Sequence, residues 1–117
     1  MRSLFSLLLV ASPVLADPPS IEAVSATRAA DGWRFDVTLR HPDTGWDHYA
    51  DGWRVLDMQG NEIGMRTLLH PHETEQPFTR SLSGVQLAEG ARQVQVQARC
   101  NVDGWTPVMR IVDLPWP

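Results

Sequence analysis

Apolar residues fall at every second position of Trp33-Arg34-Phe35-Asp36-Val37-Thr38-Leu39-Arg40, with charged or hydroxyl residues between them. A period of two belongs to a half-buried strand, because successive side chains of extended chain point to opposite faces. The run 92–99 repeats the pattern and predicts that Val94, Val96 and Ala98 face inward. Looser alternation over 21–28, after Pro18-Pro19, predicts a first edge strand, and Asp31-Gly32 supplies the turn after it. Residues 53–57 and 62–69 read as a hairpin about Met58-Gln59-Gly60-Asn61. Short strands follow at 78–82 and, last, at 105–114. No segment sustains a 3.6-residue apolar period, so about seven antiparallel strands predict an all-β fold, an immunoglobulin- or fibronectin-III-like β-sandwich. Asp-Gly-Trp recurs at Asp31, Asp51 and Asp103 in unlike surroundings, which reads as a turn followed by a strand-opening aromatic rather than a repeat.

The first sixteen residues stand apart from this pattern. Arg2 is followed by an apolar run from Leu4 to Leu15 and by Val14-Leu15-Ala16. That is the form of a secretory signal peptide cleaved after Ala16, too short for the roughly 20 residues that span a bilayer. The expected organisation is a leader over 1–16 and one β-sandwich domain over 17–117, exported to the periplasm, with no membrane span. No cysteine at the cleavage point offers a lipid acceptor.

Charge narrows the partners. Every one of the 10 basic residues is arginine, against 14 acids, for a net charge of −4. Nucleic acid is not an expected partner, since its binding draws on Lys and Arg that neutralise phosphates. Cys100 is the single cysteine, so the core is closed by packing without an intrachain disulfide. It continues the inward parity of Val94, Val96 and Ala98 and is expected to be a buried, inert thiol, with a ligand or redox role as the alternative.

Antiparallel strands send alternate loops to opposite ends. The loop 41–52, the loop 70–77 and the turn 100–104 should therefore share one pole, which collects His41, His48, His70, His72, Asp43, Asp47, Glu73, Glu75, Trp46, Tyr49, Trp105 and Cys100. Pro71 disfavours helical backbone at His70, so His70 and His72 are expected on extended chain, projecting to one side. With His41 or His48 they make a candidate metal set suited to Zn or Cu, weighed against an ordinary solvated or backbone-bonded pair. Trp33 and Trp53 are expected in the core. Trp46, Tyr49, Trp105, Glu73 and Glu75 are the candidate ligand-binding residues of the pole. Arg80 shares the parity of Phe78 and Leu82, and a structural salt link to Glu75 or Asp47 is expected.

The stretch GWDHYADGW, taken with LLHPHETEQPFTRSLSG, resembles a group of small exported proteobacterial proteins of unassigned function. The resemblance covers the middle third of the chain and implies an exported small domain. The chain carries no nucleophile elbow, zinc-protease helix, phosphate loop or triad spacing, and an enzyme is not expected. Two functions remain open: an exported binding or accessory module that contacts a periplasmic protein or small ligand through the loop pole, and a Zn- or Cu-binding or metal-delivery protein.

Overall fold

A computed structural model describes residues 17–116; the leader expected over 1–16 lies outside the described residues. The described residues are all-β, with eight strands among them: β1 (Ser20–Ala29), β2 (Gly32–Arg40), β3 (Ala50–Leu56), β4 (Glu62–Thr67), β5 (Phe78–Val85), β6 (Gln93–Cys100), β7 (Gly104–Trp105) and β8 (Arg110–Asp113). They form two antiparallel sheets, one ordered β1-β2-β5 and the other β4-β3-β6, where β7 and β8 both pair with β6. This is the β-sandwich that the alternating pattern predicts.

The core sits where the inward parity of both sheets meets. Trp33, Phe35, Val37 and Leu39 of β2 are buried against Trp53 and Val55 of β3 and Val94, Val96 and Ala98 of β6. Edge strand β1 contributes only the partly buried Ile21, Val24 and Ala26. A register shift between Ile21 and Ala23 inserts one residue and resets the parity, which is why its alternation looks loose in sequence.

Two boundaries differ from expectation for physical reasons. Strand β3 starts at Ala50 rather than Trp53, because Ala50 pairs with Cys100 and Gly52 with Thr67, so the loop after β2 is shorter than expected. The last strand is split: residues 104–105 pair with Arg99 and Cys100, the chain leaves the ladder, and pairing resumes at Arg110. Pro107 lies in that break and has no N–H to donate.

The two ends of the sandwich differ. At one, Trp116 packs edge-on against Trp33 with ring centroids 5.3 Å apart, and Arg28 lies over its ring. The other end gathers the histidines.

Candidate metal centre at one pole

His41 is the residue after β2 and keeps the inward parity of Leu39, so it enters the sandwich and is fully buried. Cys100 closes β6 on the inward parity of Ala98 and is 1 % exposed. Parity alone therefore brings a buried imidazole from one sheet and a buried thiol from the other to the same pole.

The segment between β2 and β3 supplies the third group. Gly45 and His48 form an isolated antiparallel bridge, with Thr44 N–H donating to His48 O at 3.0 Å and His48 N–H to Gly45 O at 3.2 Å. Gly45 has φ 139°, a conformation that costs glycine little and a β-carbon much. Asn101 stitches this turn to the end of β6: its side chain donates to Trp46 O at 3.0 Å and accepts from Tyr49 N–H at 2.9 Å. The fold thus holds His48 beside Cys100 through the residue next to the cysteine.

One ligand atom from each of His41, His48 and Cys100 lies within 4.8 Å of the others. The His41 and His48 rings meet edge-on, centroids 4.8 Å apart. Nδ1 of His41 lies 2.5 Å from Oδ1 of Asp43, while Nε2 of both His41 and His48 is buried without a hydrogen-bond partner. Buried polar atoms are rarely left so, because each lost partner costs about 1–3 kcal/mol. Metal–ligand bonds of about 2.0–2.3 Å place donors of one site roughly 3.3–3.7 Å apart, so the widest gap here closes by about 1 Å.

Asp43 orients this cluster. Its Oδ1 also accepts from Ala50 N–H at 3.0 Å, and its Oδ2 accepts from His72 N–H at 2.7 Å. A carboxylate on the far nitrogen of an imidazole fixes the tautomer that leaves Nε2 free as a ligand. The backbone N–H of Asp103 points at Cys100 Sγ from 3.3 Å, held there by the turn that Gly104 completes at φ 75°.

The pole expected from loop alternation is present, but the side chains grouped there are His41, His48 and Cys100 rather than a set containing His70 and His72. His70 and His72 do lie together, centroids 4.4 Å apart, as residues two apart on extended chain should. Neither belongs to the grouped set, although Nδ1 of His72 is also buried without a hydrogen-bond partner, 3.9 Å from Asp43 Oδ2. His70 is exposed, its Nδ1 donating to Pro71 O at 3.0 Å. His72 stacks on Phe78 at 3.9 Å, and its Nε2 accepts from Arg80 Nη2 at 2.8 Å. Burial above all, then the charges of Arg80 and His70, pushes the His72 imidazole below its ordinary pKa, with Asp43 and Glu75 opposing. His72 N–H therefore supports Asp43, and Cys100, buried as expected, is grouped with His41 and His48, the arrangement its alternative ligand role requires. The sequence signal for this grouping is that two inward parities, 33 to 41 and 94 to 100, end at the same pole.

The remaining residues of the pole divide. Trp46, 66 % exposed, packs edge-on against Tyr49. Trp105 is engaged from within the fold: Arg54 lies 4.0 Å and Arg99 5.2 Å from its ring centroid. Glu73 is exposed beside Gly45, and Glu75 pairs with Arg80 at 3.4 Å, the salt link expected for that arginine. Gln76 joins the two histidine segments by accepting from His41 N–H at 3.0 Å and donating to His72 O at 2.9 Å.

No family model matches the chain, and no solved structure matches it. A protein of the archaeon Halomicrobium mukohataei named "Putative lipoprotein" is 42% identical over 79 residues, which are 68% of this chain and 38% of that protein. The chain thus spans less than two fifths of the length of the curated relative it matches, and an archaeal relative does not show the proteobacterial origin that the resemblance implied.

Proposed function

We propose that this protein is an exported, non-enzymatic binding module of the cell envelope that holds one transition-metal ion between His41, His48 and Cys100. The single observation that carries the reading is the pair of orphaned, buried imidazole nitrogens beside a buried thiol. Nitrogen and sulfur donors in this number suit Zn or Cu, the ions already expected from the histidine content. The name of the archaeal relative supports an envelope location.

Elemental analysis of the purified full chain, after loading with Zn(II) or Co(II) and removal of free ion, tests it. An equimolar ion in the wild type, lost in His48→Ala and in Cys100→Ser but kept in His70→Ala, is the expected result. Equal, negligible metal in all four proteins would overturn the reading.

Exposed Trp46, packed edge-on against the half-buried Tyr49, favours a second reading, in which the same pole meets a periplasmic protein or small ligand. Unchanged pull-down partners for Trp46→Ala/Tyr49→Ala would remove it.

A further inference from the structure

We infer that the ion at this pole is copper and that it exchanges single electrons in place, cycling between Cu(II) and Cu(I); the inference rests on the metal-binding reading above. The donor set argues first. A structural zinc site closes with four protein ligands, whereas two imidazoles and one thiolate in a near-trigonal arrangement are the donors of electron-transfer copper. Among the described residues the grouped donor side chains are the three at this pole.

The surroundings of the sulfur argue next. Asp103 N–H donates to Cys100 Sγ at 3.3 Å, and the thiol in turn faces the Asp103 carboxylate at 3.9 Å. Hydrogen bonding to the ligand sulfur and the apolar shell around it are the levers that set the potential of such a centre. Val96 and Ala98, the preceding inward residues of the same strand, supply an apolar approach to it.

Rigidity and access complete the case. His41 is locked by Asp43, Cys100 by its place in the β6 ladder, and His48 by the bridge to Gly45. Donors anchored in this way, once drawn together by the ion, move little when it changes charge, which keeps both oxidation states bound. His41 and Cys100 are sealed, while His48 is half-buried, so its segment is the least enclosed of the three.

The chemistry balances simply. On loading, Cys100 gives its thiol proton to solvent as the Cu–S bond and two Cu–N bonds form. In reduction an outer-sphere one-electron donor loses one electron, Cu(II) becomes Cu(I), no bond to the protein forms or breaks, and the charge of the site falls by one.

The test titrates the reduced, metal-free full chain with Cu(II) under argon, then adds ascorbate followed by ferricyanide, with Co(II) titrated in parallel. An intense thiolate-to-copper absorption in the visible that saturates at one equivalent, bleaches with ascorbate and returns with ferricyanide is expected. It should fall roughly tenfold or more in Cys100→Ser, shown to be folded by near-ultraviolet circular dichroism, and change position in His48→Ala. Co(II) binding with a thiolate band, while Cu(II) gives no such band or instead oxidises the chain to a disulfide-linked dimer, would overturn the copper inference and leave the metal site standing. Failure of both ions to bind would overturn the two together.

Discussion

Oδ1 of Asp43 lies 2.5 Å from Nδ1 of His41, both side chains fully buried, and the same carboxylate gathers the backbone N–H groups of Ala50 and His72. Three segments of the pole are thereby tied to one side chain. Asp43→Asn must turn an NH₂ toward at least one of those donors, so a loss of about 3 kcal/mol in urea unfolding is expected, the scale of hydrogen bonds to a charged group. Affinity for Co(II) should also fall by about 10- to 100-fold, as for other partners of ligand imidazoles. A variant with unchanged stability would show that Asp43 is not the organiser.

His72 offers a pH signature. Its Nε2 accepts from Arg80, so it is neutral in the fold, and burial depresses its pKa. A depressed histidine contributes stability that is complete above the unfolded value of about 6.5 and is lost as pH falls through that value toward the folded one. Between about pH 7.5 and pH 5.5 the wild type should therefore lose more unfolding free energy than His72→Gln, which does not titrate. Parallel losses in the two proteins would refute this.

Trp105 is stacked by two guanidinium groups, and each is anchored elsewhere: Arg54 on Gln97 Oε1 at 2.7 Å and Arg99 on Asp51 at 2.9 Å. Cation–π contacts of about 0.5–1 kcal/mol each, added to the lost packing, predict that Trp105→Ala costs about 2 kcal/mol. Trp105→Phe should cost less than about 1 kcal/mol because a ring face remains. Thermal denaturation of the two variants distinguishes this structural role from that of an open ligand platform.

Asp36 of β2 accepts from the Ser81 hydroxyl of β5 and from Arg34. The Ser81 bond above all, with Arg34 adding to it, holds the Asp36 carboxyl below its usual range in spite of partial burial. Its contribution is present above the unfolded pKa of about 3.9 and disappears as pH falls through the lower folded value. Asp36→Asn should cost about 1 kcal/mol at neutral pH and little in strong acid. Equal cost at both would exclude the carboxylate as the cause.

Much of this architecture was legible because the strands are half-buried. Trp33 to Leu39 and Val94 to Ala98 announce their inward faces through a period of two, and antiparallel alternation then assigns the loops to poles. What stayed hidden was tertiary. The eye-catching His70-Pro71-His72 segment promised ligands, yet whether an imidazole nitrogen is free depends on partners such as Arg80 and Phe78, whose approach no local pattern records. Cys100 is buried as its parity predicts, and only its neighbours across the sandwich, His41 and His48, make its alternative ligand role a concrete one. The split of the last strand follows from one proline, Pro107, within a mostly apolar run.

His41 extends β2 of one sheet, and Cys100 terminates β6 of the other. Anything bonded to both is a staple between the two halves of the sandwich, in a chain whose lone cysteine precludes a covalent one. Loading the pole at a thousandfold excess over the dissociation constant would add about 4 kcal/mol to the folded state. The resistance of this small domain to unfolding would then rise and fall with the ions available around it.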